Sequence, residues 1–365
     1  MAKSGKKKVA ATVVVSTMLL SGCGMFGGEK TAKEVDPPQD VSYLEEEDKS
    51  EKESNVESSQ EDTKSEKKEE QAAETVKREL YLIDSKGLVV AQTVDLPKQD
   101  GAAKQVVEYL VEGGPISNML PDGFRAVLPA DTEVKGVSIK DGTATVDFSK
   151  EFEDYKPEDE QKILQAVTWT LTQFDSVKNV KFWINGHELN EMPVGGTPIS
   201  DELNRETGIN YDTSDVIDIT NSHPVTVYYL AENEDKSYYV PVTKRVSNKE
   251  EDPIVSAVNE LIEGPANRSG LLSGFQSEVE LLSAPKNEDG KVTLDFNEAI
   301  YGAFDEDKKV ISKHVLNSLV LTLTAQEGVE SVAVTVNGKA DLVNEDGKKL
   351  SEPVTRTDIV NTGSF

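Results

Sequence analysis

The chain has 365 residues, of which 36% are hydrophobic and 29% charged, and it contains a single cysteine. Its formal net charge of -28 at pH 7 repels polyanions, which excludes nucleic acid and anionic lipid headgroups as partners of the general surface. The composition leaves room for two modest hydrophobic cores but excludes a disulfide framework and a cysteine-based metal centre.

Residues 1–23 predict a lipoprotein signal peptide. Four lysines precede the apolar stretch 9–20, which is too short to span a bilayer. Residues 20–23 read Leu-Ser-Gly-Cys, the order of a bacterial lipobox, in which the thiol takes up a diacylglyceryl group before a peptidase cuts on its N-terminal side. We therefore expect Cys23 to be the lipid attachment site, with acyl chains such as palmitate holding the mature chain to the membrane. An ordinary secretory signal with an incidental cysteine is the alternative.

Residues 24–77 predict a disordered acidic tether. From Glu29 onward the sequence is rich in Glu, Lys, Ser, Asp and Gln, and it holds few large apolar side chains. Such a segment cannot bury enough apolar surface to offset the entropy lost on ordering. We expect it to hold the folded part away from the membrane, with a transient charged helix or a partner-binding role as alternatives.

An internal repeat organises the rest of the chain. Three short matches recur in one order at a nearly constant offset: 105–115 with 256–265, 146–148 with 294–296, and 169–186 with 321–338. Their common order indicates a duplication. We predict a first domain over 78–192, an inter-domain connector over 193–222, a second domain over 223–350 and a C-terminal tail over 351–365. Part of the connector is expected to pack between the domains and fix their relative angle.

Both copies predict the same order of elements. An apolar strand and a short extended run come first, and an amphipathic helix ending at a Gly-Pro signal follows. A hairpin, a longer helix and a last strand ending in Asn-Gly complete each copy. In the first copy these ranges are 80–83, 89–94, 105–115, 132–139 with 143–148, about 158–174, and 180–184. This β-α-β-β-α-β order predicts an α+β fold with a mixed sheet in each copy, helices on one sheet face and the other face free.

The repeated motifs resemble tandem GerMN domains. The Glu-Gly-Pro helix ends, the Asp-Phe pairs at 147–148 and 295–296, and the Asn-Gly endings at 185–186 and 337–338 carry the resemblance over about residues 78–350. The resemblance implies a role in sporulation and spore germination, and a fold similar to the ring-building motifs of secretion-system subunits. It brings no catalytic residues. The second copy has Leu321 where the first has Trp169, so the two copies need not bind the same partner.

Residue types give little support to catalysis or metal binding. The three histidines, at 187, 223 and 314, do not recur between the copies and are interpreted as solvated or helix-face residues. No His/Cys cluster has metal-ligand spacing, and no Ser-His-Asp order lies in a nucleophile-elbow context. The acidic runs 157–160 and 305–307 are explained by the dipoles of the helices that follow, without calcium. We predict no enzyme activity, no cofactor and no metal.

Two carboxylates recur beside an aromatic residue at a strand end, Asp147 and Asp295. As a pair they could do acid/base work on a glycan, but bonding the backbone amides of a neighbouring turn is the simpler expectation. The aromatic residues Trp169, Phe182 and Trp183 are assigned to the core.

Two classes of function remain open. The favoured class is a lipid-anchored assembly protein that packs against itself or other extracytoplasmic sporulation proteins, within a ring or channel between mother cell and forespore. The alternative is a peptidoglycan-binding or cortex-processing factor, for which aromatic residues beside carboxylates in an exposed groove would be the signature. Either function places the protein on the extracytoplasmic side of the cell membrane, in the space between the mother-cell and forespore membranes.

Overall fold

The structure is a computed structural model that describes residues 74–201, 203–214, 218–233, 236–249, 252–301 and 309–359. The predicted signal peptide, Cys23 and the tether up to residue 73 lie outside the described residues. All described residues belong to one compact unit. Within this part of the chain, no helix combines the length and apolar character needed to cross a membrane.

The first copy contains six strands and two helices within the described residues. In chain order they are β1 (Thr75–Ile83), β2 (Val89–Pro97), α1 (Ala102–Glu108), β3 (Val134–Lys140), β4 (Thr143–Phe148), α2 (Glu160–Leu171), β5 (Asn179–Ile184) and β6 (His187–Glu188). Strands β3 to β6 form a mixed sheet in that order, with β4 and β5 parallel and the outer pairs antiparallel.

The second copy repeats this arrangement with short additional strands. Its elements are β7 (Ser222–Asn233), β8 (Lys236–Ser247), α3 (Pro253–Glu263), β9 (Lys286–Glu288), β10 (Lys291–Phe296), β11 (Val310–Ile311), α4 (Lys313–Leu323), β12 (Ser331–Val336), β13 (Val343–Asn344) and β14 (Val354–Thr355). The order β14-β12-β10-β9 makes the second mixed sheet, in which β10 and β12 are parallel. The α+β prediction with a mixed sheet in each copy is confirmed.

Alternation along the central strands decides which sheet face is buried. On β4 and β5 every second residue is buried, ending at Phe148 and Ile184, and β10 and β12 show the same pattern. Because side chains of successive strand residues point to opposite faces, one face packs on the helices while the other carries partly exposed residues.

The first strand of each copy differs from the expected topology. It does not join the main sheet but pairs with the next extended run, giving the hairpins β1-β2 and β7-β8. The helix α2 contacts β1 as well as β5, and α4 contacts β7 as well as β12. The four residues ending β1 are all buried, as expected of a strand covered on both faces.

The two hairpins also face each other. Val90 of β2 belongs to the hydrophobic core of the second copy, and Phe124 packs against both cores. The pairing of the main sheets extends past the matched sequence motifs, because Leu203 bridges to Val180 and Val354 pairs with Val332. The boundaries at 192 and 350 stay predictions, but residues beyond them pack on the same sheets.

Candidate functional site

Equivalent tyrosines meet at the centre of the junction between the copies. The backbone N–H of Tyr81 donates to Thr170 Oγ1 at 3.0 Å, and that of Tyr228 donates to Thr322 Oγ1 at 2.9 Å. The two tyrosine hydroxyl oxygens lie 3.5 Å apart. Burial raises the pKa of Tyr81 well above its ordinary value, so this hydroxyl stays protonated and neutral.

An arginine from the predicted C-terminal tail completes this junction. Arg356 donates from Nε to one carboxylate oxygen of Glu79 at 3.1 Å and from Nη2 to the other at 3.2 Å. It also donates to the Tyr228 hydroxyl at 3.0 Å and to the carbonyl of Leu321 at 3.2 Å. Burial lowers the pKa of Arg356, but the Glu79 carboxylate outweighs it and holds this pKa above its usual range. The ion pair therefore ties the second copy to the first.

A second arginine occupies the corresponding place in the first copy. Arg205 lies in the predicted connector and donates to Thr172 Oγ1 at 2.9 Å and to the carbonyl of Trp169 at 3.4 Å. Its guanidinium carbon lies 4.7 Å from the centre of the Trp169 ring. Among the described residues no carboxylate lies within ion-pair distance of Arg205, unlike Arg356.

Another connector residue bonds both hairpins at once. Asn210 donates from Nδ2 to the carbonyls of Val89 at 2.7 Å and Pro241 at 2.8 Å, and its Oδ1 accepts from Val89 N–H at 2.8 Å. Its φ of 44° is in the left-handed region that asparagine tolerates better than most residues. Asn210 therefore links a strand of the first copy to a strand of the second.

A buried carboxylate holds the start of the connector. Glu160 is 1% exposed and accepts hydrogen bonds from Gly195 N–H at 2.5 Å, Thr197 N–H at 3.0 Å and the Tyr155 hydroxyl at 3.1 Å. Burial raises the pKa of Glu160, but the hydrogen bonds from Thr197 and Gly195 together lower it by more. The pKa of Glu160 therefore lies below its ordinary value. A Cβ at residue 195 would lie 2.7 Å from Glu160 Oε2, which is why glycine stands there.

These contacts add specific partners to the interpretation of the acidic run 157–160. The carboxylate of Asp159 is held by Arg125 at 3.1 Å and Lys162 at 2.8 Å, and that of Glu160 by the connector. Specific partners, and not the helix dipole alone, account for the last two residues of the run. The corresponding run 305–307 lies outside the described residues.

The repeated aspartates, Asp147 and Asp295, accept hydrogen bonds from backbone amides of neighbouring turns, which was the simpler of the two expectations. Gly186 N–H donates to Asp147 Oδ1 at 2.9 Å, and Gly338 N–H donates to Asp295 Oδ1 at 2.8 Å. The two carboxylates belong to different sheets, and each closes the Asn-Gly turn of its own copy. Each carboxylate therefore stabilises a turn of its own copy.

Trp183 is not a core residue, whereas Trp169 and Phe182 are. It is half-buried on the free face of the first sheet, paired in register with Asp147 on one side and Glu188 on the other. The core assignment was wrong for Trp183 because neighbouring strand residues alternate between faces, and both of its neighbours point inward. In the second copy Thr335 takes this position and donates to Asp295 at 2.8 Å.

The histidines have ordinary polar surroundings. His187 is exposed on β6, His223 Nδ1 lies 2.9 Å from Asn248 Oδ1, and His314 Nδ1 lies 3.2 Å from the Tyr239 hydroxyl. In the part of the chain that the structure describes, no group of three or more His, Cys, Asp or Glu side chains is placed to hold a metal ion.

A groove of about 1340 Å³ runs between the two copies. Its walls include Trp169, Lys178 and Arg205 from the first copy and Thr226 and Gln326 from the second. A smaller groove of about 740 Å³ lies beside α3 and is lined by polar and apolar residues including Leu282.

Together these features define a duplicated α+β protein whose conspicuous polar contacts bind its own turns, connector and domain junction. The chain belongs to the Germane family, described as sporulation and spore germination, whose profile matches residues 79–190 and 226–341. It is 59% identical over 366 residues to the spore germination protein GerM of Bacillus subtilis (strain 168), and the match covers 100% of both chains.

A solved structure shows the same two-copy architecture. The tandem GerMN domains of the sporulation protein GerM from Bacillus subtilis superpose with a TM-score of 0.74 at 64% identity, covering 79% of this chain and 100% of that chain. The resemblance to tandem GerMN domains is thereby confirmed, and the chain is a sporulation and germination protein.

Proposed function

We propose that this sporulation and germination protein is a non-enzymatic, lipid-anchored scaffold in an extracytoplasmic complex. Through Cys23 it is held to the cell membrane, in the space between the mother-cell and forespore membranes, where it joins other sporulation proteins in a ring or channel. The proposal includes the similarity of each copy's fold to the ring-building motifs of secretion-system subunits.

One observation carries the proposal. The two copies are joined by direct contacts, a buried one between Tyr81 and Tyr228 and a partly buried one between Glu79 and Arg356. The outer faces of both main sheets carry partly exposed residues. Two similar domains joined in this way present two related surfaces. Such geometry suits a subunit that repeats around an assembly, because each interface must recur at the same orientation.

A second candidate function is favoured by Trp183. This indole lies beside Asp147 on the free face of the first sheet, which is the combination of aromatic ring and carboxylate that suits a sugar ligand. The second copy has Thr335 instead, so a peptidoglycan site would belong to the first copy alone.

Cross-linked recovery of the intact lipoprotein from sporulating-cell membranes tests the proposal. We expect a defined set of integral membrane proteins, with fewer recovered after Trp183→Ala if the first sheet face is an interface. The matched control is Thr335→Ala on the other sheet. Recovery of peptidoglycan or wall enzymes without membrane proteins would overturn the scaffold function and favour the wall-binding one.

A further inference from the structure

We infer that Arg205 forms a carboxylate-binding site in the groove between the two copies. The repeat provides an internal comparison for this site, because the equivalent arginine of the second copy, Arg356, already holds a carboxylate. The ligand class follows from that pair: an Asp or Glu side chain of a polypeptide.

Backbone pairing establishes that the two arginines are equivalent. Arg205 comes two residues after Leu203, which bridges to β5, and Arg356 comes two residues after Val354, which pairs with β12. Each guanidinium donates to the carbonyl of the matching residue on the long helix of its own copy, Trp169 or Leu321. The two side chains therefore occupy the same place in the repeated fold.

The position opposite each arginine is also equivalent, but its residue differs. Glu79 and Thr226 each come two residues before the paired tyrosine of their copy. The Glu79 carbonyl accepts from Gln173 Nε2 at 2.8 Å, and the Thr226 carbonyl accepts from Gln326 Nε2 at 3.3 Å. Arg356 meets the carboxylate of Glu79, whereas Arg205 lines a groove whose other wall includes Thr226. The Thr226 hydroxyl lies 2.8 Å from Thr243 Oγ1 and brings no carboxylate to the groove.

The groove favours a single carboxylate over a polyanion. Arg205 and Lys178 are the cationic groups in its lining, and Glu206, Asp252 and Glu327 also line it. Asp252 is engaged as the N-cap of α3, accepting from Ile254 N–H at 2.8 Å. Because the lining carries both signs of charge, an anion is attracted only near the guanidinium group of Arg205. The planar donor fork of that group matches a single carboxylate.

Among the described residues, a buried donor without an acceptor belongs to Trp169, which lines the groove, and another belongs to Trp183, which does not. Trp169 is 1% exposed, and its indole N–H has no hydrogen-bond acceptor in the described part of the chain. A buried N–H without an acceptor is costly, and the Arg205 guanidinium is stacked on this same ring. A carboxylate bound by Arg205 brings acceptor oxygens to this wall. The indole also gives a built-in reporter of binding.

Binding can be followed in the mature chain from residue 24 onward, labelled with ¹⁵N. Its two tryptophans give two indole N–H resonances, and Trp183 does not line the groove. The probes are the blocked peptide acetyl-Gly-Glu-Gly-amide and its Gln counterpart. We expect a saturable shift of the Trp169 resonance with the Glu peptide alone, while the Trp183 resonance stays in place.

Matched substitutions distinguish specific binding at Arg205 from general electrostatic attraction of the peptide. Arg205→Gln is expected to weaken binding of the Glu peptide about tenfold or more, because the bidentate charged fork is lost. Thr226→Glu should abolish binding by supplying an internal carboxylate, whereas Thr226→Gln should retain it. If Arg205→Gln does not fold, the Thr226 pair decides. The site would be overturned by equal shifts with both peptides or by shifts that do not saturate. It would also be overturned if a folded Arg205→Gln kept its affinity for the Glu peptide, or if a folded Thr226→Glu still bound that peptide fully.

A further arm distinguishes the source of the carboxylate. The chain itself supplies glutamates at 66, 69 and 70, shortly before the described residues begin. Replacing these three with Gln should tighten binding of the peptide if they compete for Arg205 as a tethered ligand at high effective concentration. Unchanged affinity would exclude these three glutamates as the ligand of Arg205.

Discussion

The hydroxyl oxygens of Tyr81 and Tyr228 lie 3.5 Å apart, and each tyrosine is the counterpart of the other in the repeat. A residue that meets its own equivalent is the mark of an isologous contact, as in a two-fold dimer. Here both tyrosines belong to one chain, so the residues around them can differ between the two copies. They do so at Glu79, which is paired with Arg356, and at the equivalent Thr226, which lines the same groove as Arg205.

Arg356→Met is expected to lower the free energy of unfolding by about 3 kcal/mol, because it leaves the Glu79 carboxylate partly buried without its partner. The matched change Arg205→Met should lower it by about 1 kcal/mol or less, because no carboxylate depends on that guanidinium among the described residues. Urea unfolding of both variants at neutral pH measures the difference. Equal losses would contradict the asymmetry of the junction.

Asn210→Asp is expected to destabilise the chain by about 2 kcal/mol, because it replaces a donor facing two carbonyls with an acceptor. The hydrogen-exchange rates of β2 and β8 amides should rise together. Asn185→Asp is the control, because this turn residue has a similar positive φ. Its Oδ1 accepts a hydrogen bond from Lys135, and an aspartate carboxylate at this position can accept the same bond. A rise confined to one hairpin would show that Asn210 does not couple the copies.

Glu160 should make stability depend on pH. Because its pKa is lower in the folded chain than its ordinary value, its contribution is present above the unfolded pKa of about 4.3 and is lost as pH falls through the folded pKa. The stability difference between the natural chain and Glu160→Gln should therefore be largest near neutral pH and shrink below about pH 4.

Urea midpoints between pH 7 and pH 3 test this expectation. The control variant is Glu158→Gln, which removes a neighbouring carboxylate that is exposed to solvent. A stability difference for Glu160→Gln that stays constant over the whole range would contradict the assigned role of the carboxylate.

Cys23→Ala is expected to release the mature protein from membranes, because the sequence predicts that a lipid is attached through that thiol. Membrane fractionation of sporulating cells measures the release, and Ser21→Ala, which keeps the cysteine, is the control. The test requires that the signal peptide has been removed. If Cys23→Ala stays membrane-bound after removal of the signal, the lipoprotein prediction is wrong.

Local sequence patterns predicted most of the secondary structure correctly. The strands β4 and β5 and the long helix α2 lie within a few residues of their predicted ranges, because alternation and helical spacing report directly on which side chains are buried. The turn-binding role of Asp147 also followed from local pattern, since an aspartate at a strand end commonly bonds a nearby turn.

The sequence by itself determined the duplication, the α+β class, the family resemblance and the absence of a recognisable catalytic motif. Only the tertiary structure decided that each first strand forms a separate hairpin, that Trp183 lies on a free sheet face, and that Arg205 and Arg356 are equivalent. The reason is physical: periodicity records that a residue is buried or exposed, but not which distant element covers it. The pairing of Glu79 with Arg356, 277 positions apart, exists only once both hairpins have packed together.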